Sequence, residues 1–141
     1  CETIQDADIN IISNYIFGFP EDDIKTMKET LDLALELNTE MANMYLCMAL
    51  PGSPMFYEAK ENNLKLPDSF EGYAFLSYDS QPLPTKYLSS KEVLKFRDKA
   101  WNEYFTNPKY LDLVEKRFGM RQRKNVEEIS SIQLKRRILE E

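Results

Sequence analysis

Two apolar runs separated by one amphipathic stretch constrain the fold of this chain more than any other feature. The first run, INIISNYIFGF, covers Ile9–Phe19, and the second, MANMYLCMAL, covers Met41–Leu50. Between them, Glu21–Leu37 carries apolar side chains at helical spacing. This order predicts a βαβ unit of an α/β fold, with parallel strands that are covered on both faces.

The turn after each predicted strand is a candidate ligand site, because ligands of α/β sheets and barrels bind at the carboxyl ends of the strands. Gly18 lies at the first of these turns, where it would let another group approach the backbone closely. Glu21, Asp22 and Asp23 occupy the predicted first turn of the helix and would repel a phosphate. The sequence therefore predicts a ligand site that is not a phosphate-binding loop.

The remainder of the chain is predicted to be helical apart from one long connection. We expect a short helix over residues 54–62 and further helices over residues 90–104, 108–118 and 125–140. Asn107 before Pro108 is typical of a helix start, and Gly119 is typical of a helix end. The predicted organisation is thus a strand-containing part (1–66), an irregular connection (67–89) and a C-terminal helical region (90–141).

Composition excludes several kinds of site. The chain has no histidine, which excludes Ser–His and Cys–His nucleophiles and histidine-ligated zinc. Its two cysteines, Cys1 and Cys47, are too far apart in sequence to indicate a metal knuckle or a disulfide framework. With neither a signal peptide nor an apolar run of membrane-spanning length in the sequence, we expect a cytoplasmic location without membrane contact.

Two motifs resemble those of a known family. Residues 14–21, NYIFGFPE, are similar to the GxIxGxxE pattern on the fifth strand of the radical S-adenosylmethionine (SAM) barrel: Ile16, Gly18 and Glu21 match, whereas Asn14 replaces the first glycine. Residues 49–53, ALPGS, resemble the PGT or PGS turn after the sixth strand. The segments ETLDLALEL and PLPTKYLS resemble the subgroup with an N-terminal cobalamin-binding domain, which includes anaerobic magnesium-protoporphyrin ester cyclases.

This resemblance implies the C-terminal βαβ portion of a partial (βα)6 TIM-like barrel, followed by a helical extension. The whole enzyme would cleave SAM to a 5′-deoxyadenosyl radical for hydrogen abstraction from a substrate that the sequence does not identify. The family holds its [4Fe–4S] cluster with a CxxxCxxC motif, which two cysteines cannot supply. We therefore expect a fragment, inactive alone, of an enzyme that uses SAM and a [4Fe–4S] cluster. Cobalamin is a further candidate cofactor of the full-length enzyme.

The resemblance also implies roles for individual residues. The adenine side of SAM would be contacted from the first strand by Ile16, Phe17 and Gly18, and from the second by Met48, Ala49 and Leu50. Alternation along the strands groups further polar side chains that could face the substrate, namely Asn14, Asn43 and Tyr45. Ordinary buried strands contain the same residue types, so a purely structural role is the competing interpretation.

Two other functions remain open from the sequence. A non-catalytic helical module for protein interaction would need a self-sufficient core, whereas two strands alone leave exposed edges that favour self-association. A basic RNA-binding module is suggested by residues 116–137, with eight Lys or Arg and two Asp or Glu. Nucleic acid is disfavoured as a partner, because no stacking aromatics are interleaved with these charges and residues 1–70 carry 13 acidic against 4 basic side chains.

Overall fold

The computed structural model describes residues 1 to 140. Within this range the chain forms two strands, seven α-helices and one 3₁₀ turn. The strands are β1 (Ile12–Phe17) and β2 (Met41–Leu46), and the 3₁₀ turn is Phe70–Tyr73. The helices are α1 (Glu2–Asp6), α2 (Ile24–Leu37), α3 (Pro54–Glu61), α4 (Ser90–Phe105), α5 (Pro108–Phe118), α6 (Met120–Ser130) and α7 (Arg137–Glu140).

The two strands pair in parallel, in a register that places Tyr15 opposite Met44 and Phe17 opposite Leu46. All four of these side chains are buried on one face of the pair, where α2 and α4 cover it. The same core continues into the helices through Met27, Leu31, Val93, Leu94 and Tyr104. The sheet is thus one layer, and the helices form the second.

The prediction that both faces of the strands are covered is wrong for the described chain. The face opposite the helices leaves Ile12, Ile16 and Met41 exposed. Asn14, Asn43 and the half-buried Tyr45 alternate with them on the same face. Every helix that packs on the sheet within residues 1–140 lies on the other side, which is why this open face stays exposed.

The two outer edges of the pair also differ. Hydrogen bonds from Met41 N–H to Ile11 O and from Cys47 N–H to Phe17 O fix the phase of the ladder. Even-numbered residues of each strand therefore direct their backbone groups away from the partner strand. On the outer edge of β2, the Met44 carbonyl accepts a hydrogen bond from Arg97 Nε of α4 at 2.8 Å. Within residues 1–140, no strand pairs with the outer edge of β1.

The helix after β1 begins at Ile24 rather than at Glu21 as predicted. Asp23 is its N-cap: the Asp23 carboxylate accepts from Thr26 N–H, and the Thr26 hydroxyl accepts from Asp23 N–H. This reciprocal pair fixes the first turn three residues later than the acidic run suggested. Asn38 ends the helix in the left-handed conformation, with φ of 42°.

The predicted helix over residues 125–140 is divided in the structure. Helix α6 ends at Ser130, an irregular stretch follows, and α7 begins at Arg137. Arg136 in the break is buried and makes two hydrogen bonds to Asp98, each of 2.8 Å. A continuous helix would carry this guanidinium away from its partner.

None of the helices within residues 1–140 is both long and apolar enough to cross a membrane.

A buried polar cluster anchors the connection between α2 and β2. Tyr104 donates its hydroxyl hydrogen to Thr39 O at 3.0 Å, and burial raises the pKa of this phenol. The carboxylate of Glu40, 1% exposed, accepts from Ile11 N–H at 3.0 Å and lies 3.4 Å from Arg117 Nε. Burial favours the protonated acid, but the amide hydrogen bonds and Arg117 outweigh it and lower the pKa of Glu40.

This lowered pKa predicts acid sensitivity. The Glu40 carboxylate stabilises the fold above its ordinary pKa of 4.5, and the stabilisation is lost as the pH falls through the lower folded-state pKa. Glu40→Gln should cost roughly 1–3 kcal/mol at pH 7 and flatten the decline of stability below pH 4.5. Urea unfolding between pH 7 and pH 3 measures both effects, with the exposed Glu61→Gln as control. Equal behaviour of the two variants would contradict the assignment.

Candidate functional site

The turns after β1 and β2 lie side by side. The hydrogen bond from Cys47 N–H to Phe17 O, 2.8 Å long, extends the ladder one residue past β2. It brings the segment Met48–Leu50 next to Gly18 at the carboxyl end of the parallel pair. The two segments that sequence analysis assigned to the cofactor are therefore neighbours in the fold.

The candidate residues at this end differ in what they can offer a ligand. Ile16 is 42% exposed and Leu50 is 52% exposed, so their apolar side chains are accessible. The Phe17 side chain is buried against Phe96, and Ala49 is buried as well. Met48 is half-buried. Ala49 could therefore contact a ligand only through its backbone, whereas the Phe17 carbonyl is already paired with Cys47 N–H.

The backbone amides of the first turn are already occupied. Gly18 N–H and Phe19 N–H both donate to Asp22 Oδ2, at 3.0 and 2.9 Å. The other oxygen of this carboxylate accepts from the Thr26 hydroxyl at 2.9 Å. The turn thus has the form of an anion-binding loop whose anion is the chain's own side chain. A phosphate or a ligand carboxylate would have to displace Asp22.

Gly18 is required by the packing of the protein itself. Its φ of 88° lies in the left-handed region. A Cβ atom at this position would lie 2.5 Å from Cγ1 of Val93, the buried first-turn residue of α4. Val93 is the group that approaches Gly18 closely, and this contact explains the glycine without any ligand.

A strap formed by residues 82–89 crosses the first turn. Lys86 N–H donates to Pro20 O at 2.8 Å, and the Lys86 ammonium lies 3.3 Å from the Glu21 carboxylate. Thr85 Oγ1 accepts from the amides of Tyr87 and Leu88, which directs the chain into α4. Glu21 is therefore an exposed member of an ion pair rather than a helix-terminal residue.

The predicted substrate-facing side chains lie on the open face of the sheet. Asn43 Nδ2 donates to Asn14 Oδ1 at 3.0 Å, so these two amides satisfy each other in part. The Tyr45 ring packs edge-on against Phe75, with centroids 5.1 Å apart. All three residues come together on one surface, which is accessible within the described chain.

A further cavity of the described chain lies away from the strand ends. A cleft of about 760 Å³ runs along the outer edge of β2, between α4 and the segments around Phe75 and Ile132. Asn43 is the one predicted site residue that lines it. No local sequence pattern marks this cleft, because residues far apart in sequence form its walls.

A buried ionic cluster forms part of the cleft wall. Asp98 accepts hydrogen bonds from both Arg97, at 3.0 Å to Nη1, and Arg136. Arg136 also donates to Ser77 O at 2.7 Å. Burial lowers the pKa of Arg97, and the neighbouring Asp98 carboxylate acts in the opposite direction. Two guanidinium groups share one carboxylate, which leaves one positive charge in excess.

The described residues do not fit an iron–sulfur cluster. Cys1 is exposed and Cys47 is buried, and within residues 1–140 no group of three metal-ligating side chains comes together. Burial raises the pKa of the Cys47 thiol, whose sulfur lies 3.7 Å from Met55 Sδ. A neutral, packed thiol of this kind is a poor cluster ligand. No chemical step is therefore assigned to a cluster on these residues.

The basic segment 116–137 is less positive than its sequence indicates. Half of its eight basic side chains pair with carboxylates: Arg117 with Asp8 and Glu40, Arg123 with Asp112, Glu115 and Glu127, Arg136 with Asp98, and Arg137 with Asp79. These four side chains are already paired within the protein, so the segment offers phosphates fewer unpaired cations than its count of eight indicates. The pairing weighs against the RNA-binding alternative.

Comparisons with known proteins give one distant relationship. The chain is similar to an uncharacterized methyltransferase of Pyrococcus horikoshii, with 23% identity over 110 residues. The match covers 78% of this chain and 23% of the relative's length. No protein-family profile and no solved structure matches the chain. The similarity thus points to a methyltransferase and does not by itself indicate the radical SAM family.

The Gly18 contact gives a testable prediction with a matched control. Gly52 has the same φ of 88°, but nothing lies within 4 Å of the Cβ position there. Gly52→Ala should therefore cost only the backbone strain, about 1–2 kcal/mol. Gly18→Ala should cost a further ~1–3 kcal/mol, because the Val93 side chain is too stiff to move aside. Urea unfolding of both variants measures the difference, and equal losses would contradict the steric account.

Proposed function

We propose that this chain is one section of a SAM-dependent enzyme of the radical SAM type and that it supplies the adenine side of the SAM site. The proposal rests on two accessible apolar side chains, Ile16 and Leu50. They belong to adjacent segments at the carboxyl end of the parallel strand pair. Ligands of α/β folds bind at this end.

The chemistry of the turn favours adenine over the charged parts of SAM. Adenine is flat and uncharged, so it can pack on Ile16 and Leu50. It could also exchange hydrogen bonds with the Ala49 backbone, since Leu50 N–H already donates to Met48 O and Leu50 O accepts from Ser53 N–H. The methionine carboxylate of SAM would need free donors, whereas the amides of Gly18 and Phe19 are occupied by Asp22. That carboxylate would therefore bind to other parts of the enzyme.

The distant relative supports the use of SAM. A methyltransferase of the SAM-dependent kind takes its methyl group from this cofactor, and the Pyrococcus horikoshii protein is described as a methyltransferase. Because the match covers only 23% of that protein, methyl transfer, hydrogen abstraction and the substrate of the whole enzyme are all proposals. A [4Fe–4S] cluster and cobalamin, if used, would be held by residues outside this chain.

The surfaces of the sheet are consistent with such a section. In a partial (βα)6 barrel, the open face of β1 and β2 would line the interior, and the outer edge of β1 would pair with a further strand. Arg97 of α4 already covers part of the β2 edge, as expected for the last strand of an open barrel. In the isolated chain, the same exposed edge would favour pairing between copies.

A substitution at Leu50 tests the adenine contact. In the complete product of the gene, Leu50→Ala should weaken SAM binding on the order of tenfold, because it removes an apolar contact worth about 1–2 kcal/mol. Isothermal titration with SAM and with S-adenosylhomocysteine measures the dissociation constants. Thermal unfolding should be nearly unchanged, since Leu50 is half exposed in the described chain.

Leu33→Ala is the matched control, because Leu33 is 50% exposed on α2, away from the strand ends. This variant should bind SAM as tightly as the parent protein. Unchanged affinity in both variants would rule out Leu50 as an adenine contact, and absence of SAM binding by the parent protein would contradict the proposed function as a whole.

A further inference from the structure

The cleft beside β2 has walls that suit an apolar molecule. Its volume of about 760 Å³ is within the range of small-molecule sites. Most of its lining side chains are apolar or aromatic, among them Met44, Phe75, Trp101, Ile132, Leu134 and Leu139. Ile132 and Leu134 are exposed to solvent, so a ligand in the cleft would bury apolar surface that the described chain leaves in water.

The charges of the cleft are predominantly positive, although the chain as a whole carries a net charge of −6. Lys95, Arg97 and Lys99 line it, whereas Asp98 is the one carboxylate among its described lining residues. Asp98 offsets only part of this positive charge, because its two oxygens are shared between Arg97 and the buried Arg136. The cleft therefore has a surplus of cationic groups against an apolar wall.

Arg97 is the central cation of this arrangement. Its side chain is 3% exposed, its Nε donates to Met44 O, and its Nη1 donates to Asp98. Within residues 1–140, Nη2 makes no hydrogen bond. A guanidinium donor that is left without a partner at the cleft wall favours an anionic partner, since hydrogen bonds to a charged acceptor are stronger than neutral ones.

We propose that the cleft is a binding site for a small amphipathic anion, with a single carboxylate or similar group on an aliphatic or aromatic body. The anionic group would lie against Arg97, Lys95 and Lys99, and the apolar body would pack on Trp101 and the side chains around Ile132. A nucleotide is disfavoured, because most of the wall could not solvate several phosphates. This site is separate from the strand ends and does not depend on the proposed function.

Trp101 provides a direct readout, because it is the one tryptophan of the chain and lines the cleft. Titration of the 141-residue chain with decanoate should change the Trp101 fluorescence in a saturable manner. Decanamide, which has the same apolar chain without the charge, should bind on the order of tenfold more weakly. Equal affinity for the two probes would overturn the assignment of an anion site, and the absence of any saturable change would overturn the site itself.

Charge reversal tests the cationic groups separately from the fold. Lys95 and Lys99 are exposed, so Lys95→Glu/Lys99→Glu should leave stability nearly unchanged while weakening decanoate binding on the order of tenfold or more. Lys91→Glu, an exposed position on α4 that does not line the cleft, is the control and should bind normally. Equal effects of the two changes would show a general charge effect and overturn the proposal.

Arg97→Gln should abolish the preference of the cleft for decanoate over decanamide. This variant also loses the contact to Met44 O and could unfold. If Arg97→Gln does not fold, the Lys95→Glu/Lys99→Glu variant and the comparison of decanoate with decanamide test the proposal instead. Retention of the full preference in a folded Arg97→Gln protein would contradict the role of Arg97.

Discussion

A parallel strand pair has two faces and two outer edges, and within the described residues helices cover only one face and part of one edge. The core forms where Tyr15, Phe17, Met44 and Leu46 meet α2 and α4. The opposite face keeps Ile12, Ile16 and Met41 exposed. Two-stranded parallel sheets are marginal without such cover. The asymmetry therefore determines both how the chain is stabilised and which surface is available to a ligand or to further strands.

Helix α4 provides most of the cover, through contacts of three different kinds. Val93 packs into the space left by the missing side chain of Gly18. Arg97 donates to Met44 O at the edge of β2, and Tyr104 donates to Thr39 O before that strand begins. One helix thus positions both ends of the sheet. The cleft along β2 is a consequence, because α4 supplies its cationic wall and its tryptophan.

The sequence predicts the parts of this arrangement that depend on local pattern. The order of strand, helix and strand follows from the spacing of apolar residues, and Asn38 is recognisable as a helix end. The role of Asp22 is not recognisable, because a carboxylate before a helix can cap the helix or bind a preceding turn. Arg97 and Arg136 resemble surface residues in sequence, and only the tertiary structure shows that they share Asp98 in the interior. The candidate site was predicted from motifs at the strand ends, whereas the cleft depends on contacts between distant segments.

In the proposed SAM-dependent enzyme, the open edge of β1 would pair with a further strand and become an interior edge. Amide hydrogen exchange at Asn14 and Ile16 tests it most directly, because the N–H groups of these residues point away from β2. In the isolated chain at low concentration, both amides should exchange rapidly, and at high concentration pairing between copies should slow them. In the complete product of the gene, both should be protected at every concentration. Rapid exchange of both amides in the complete protein would contradict the claim.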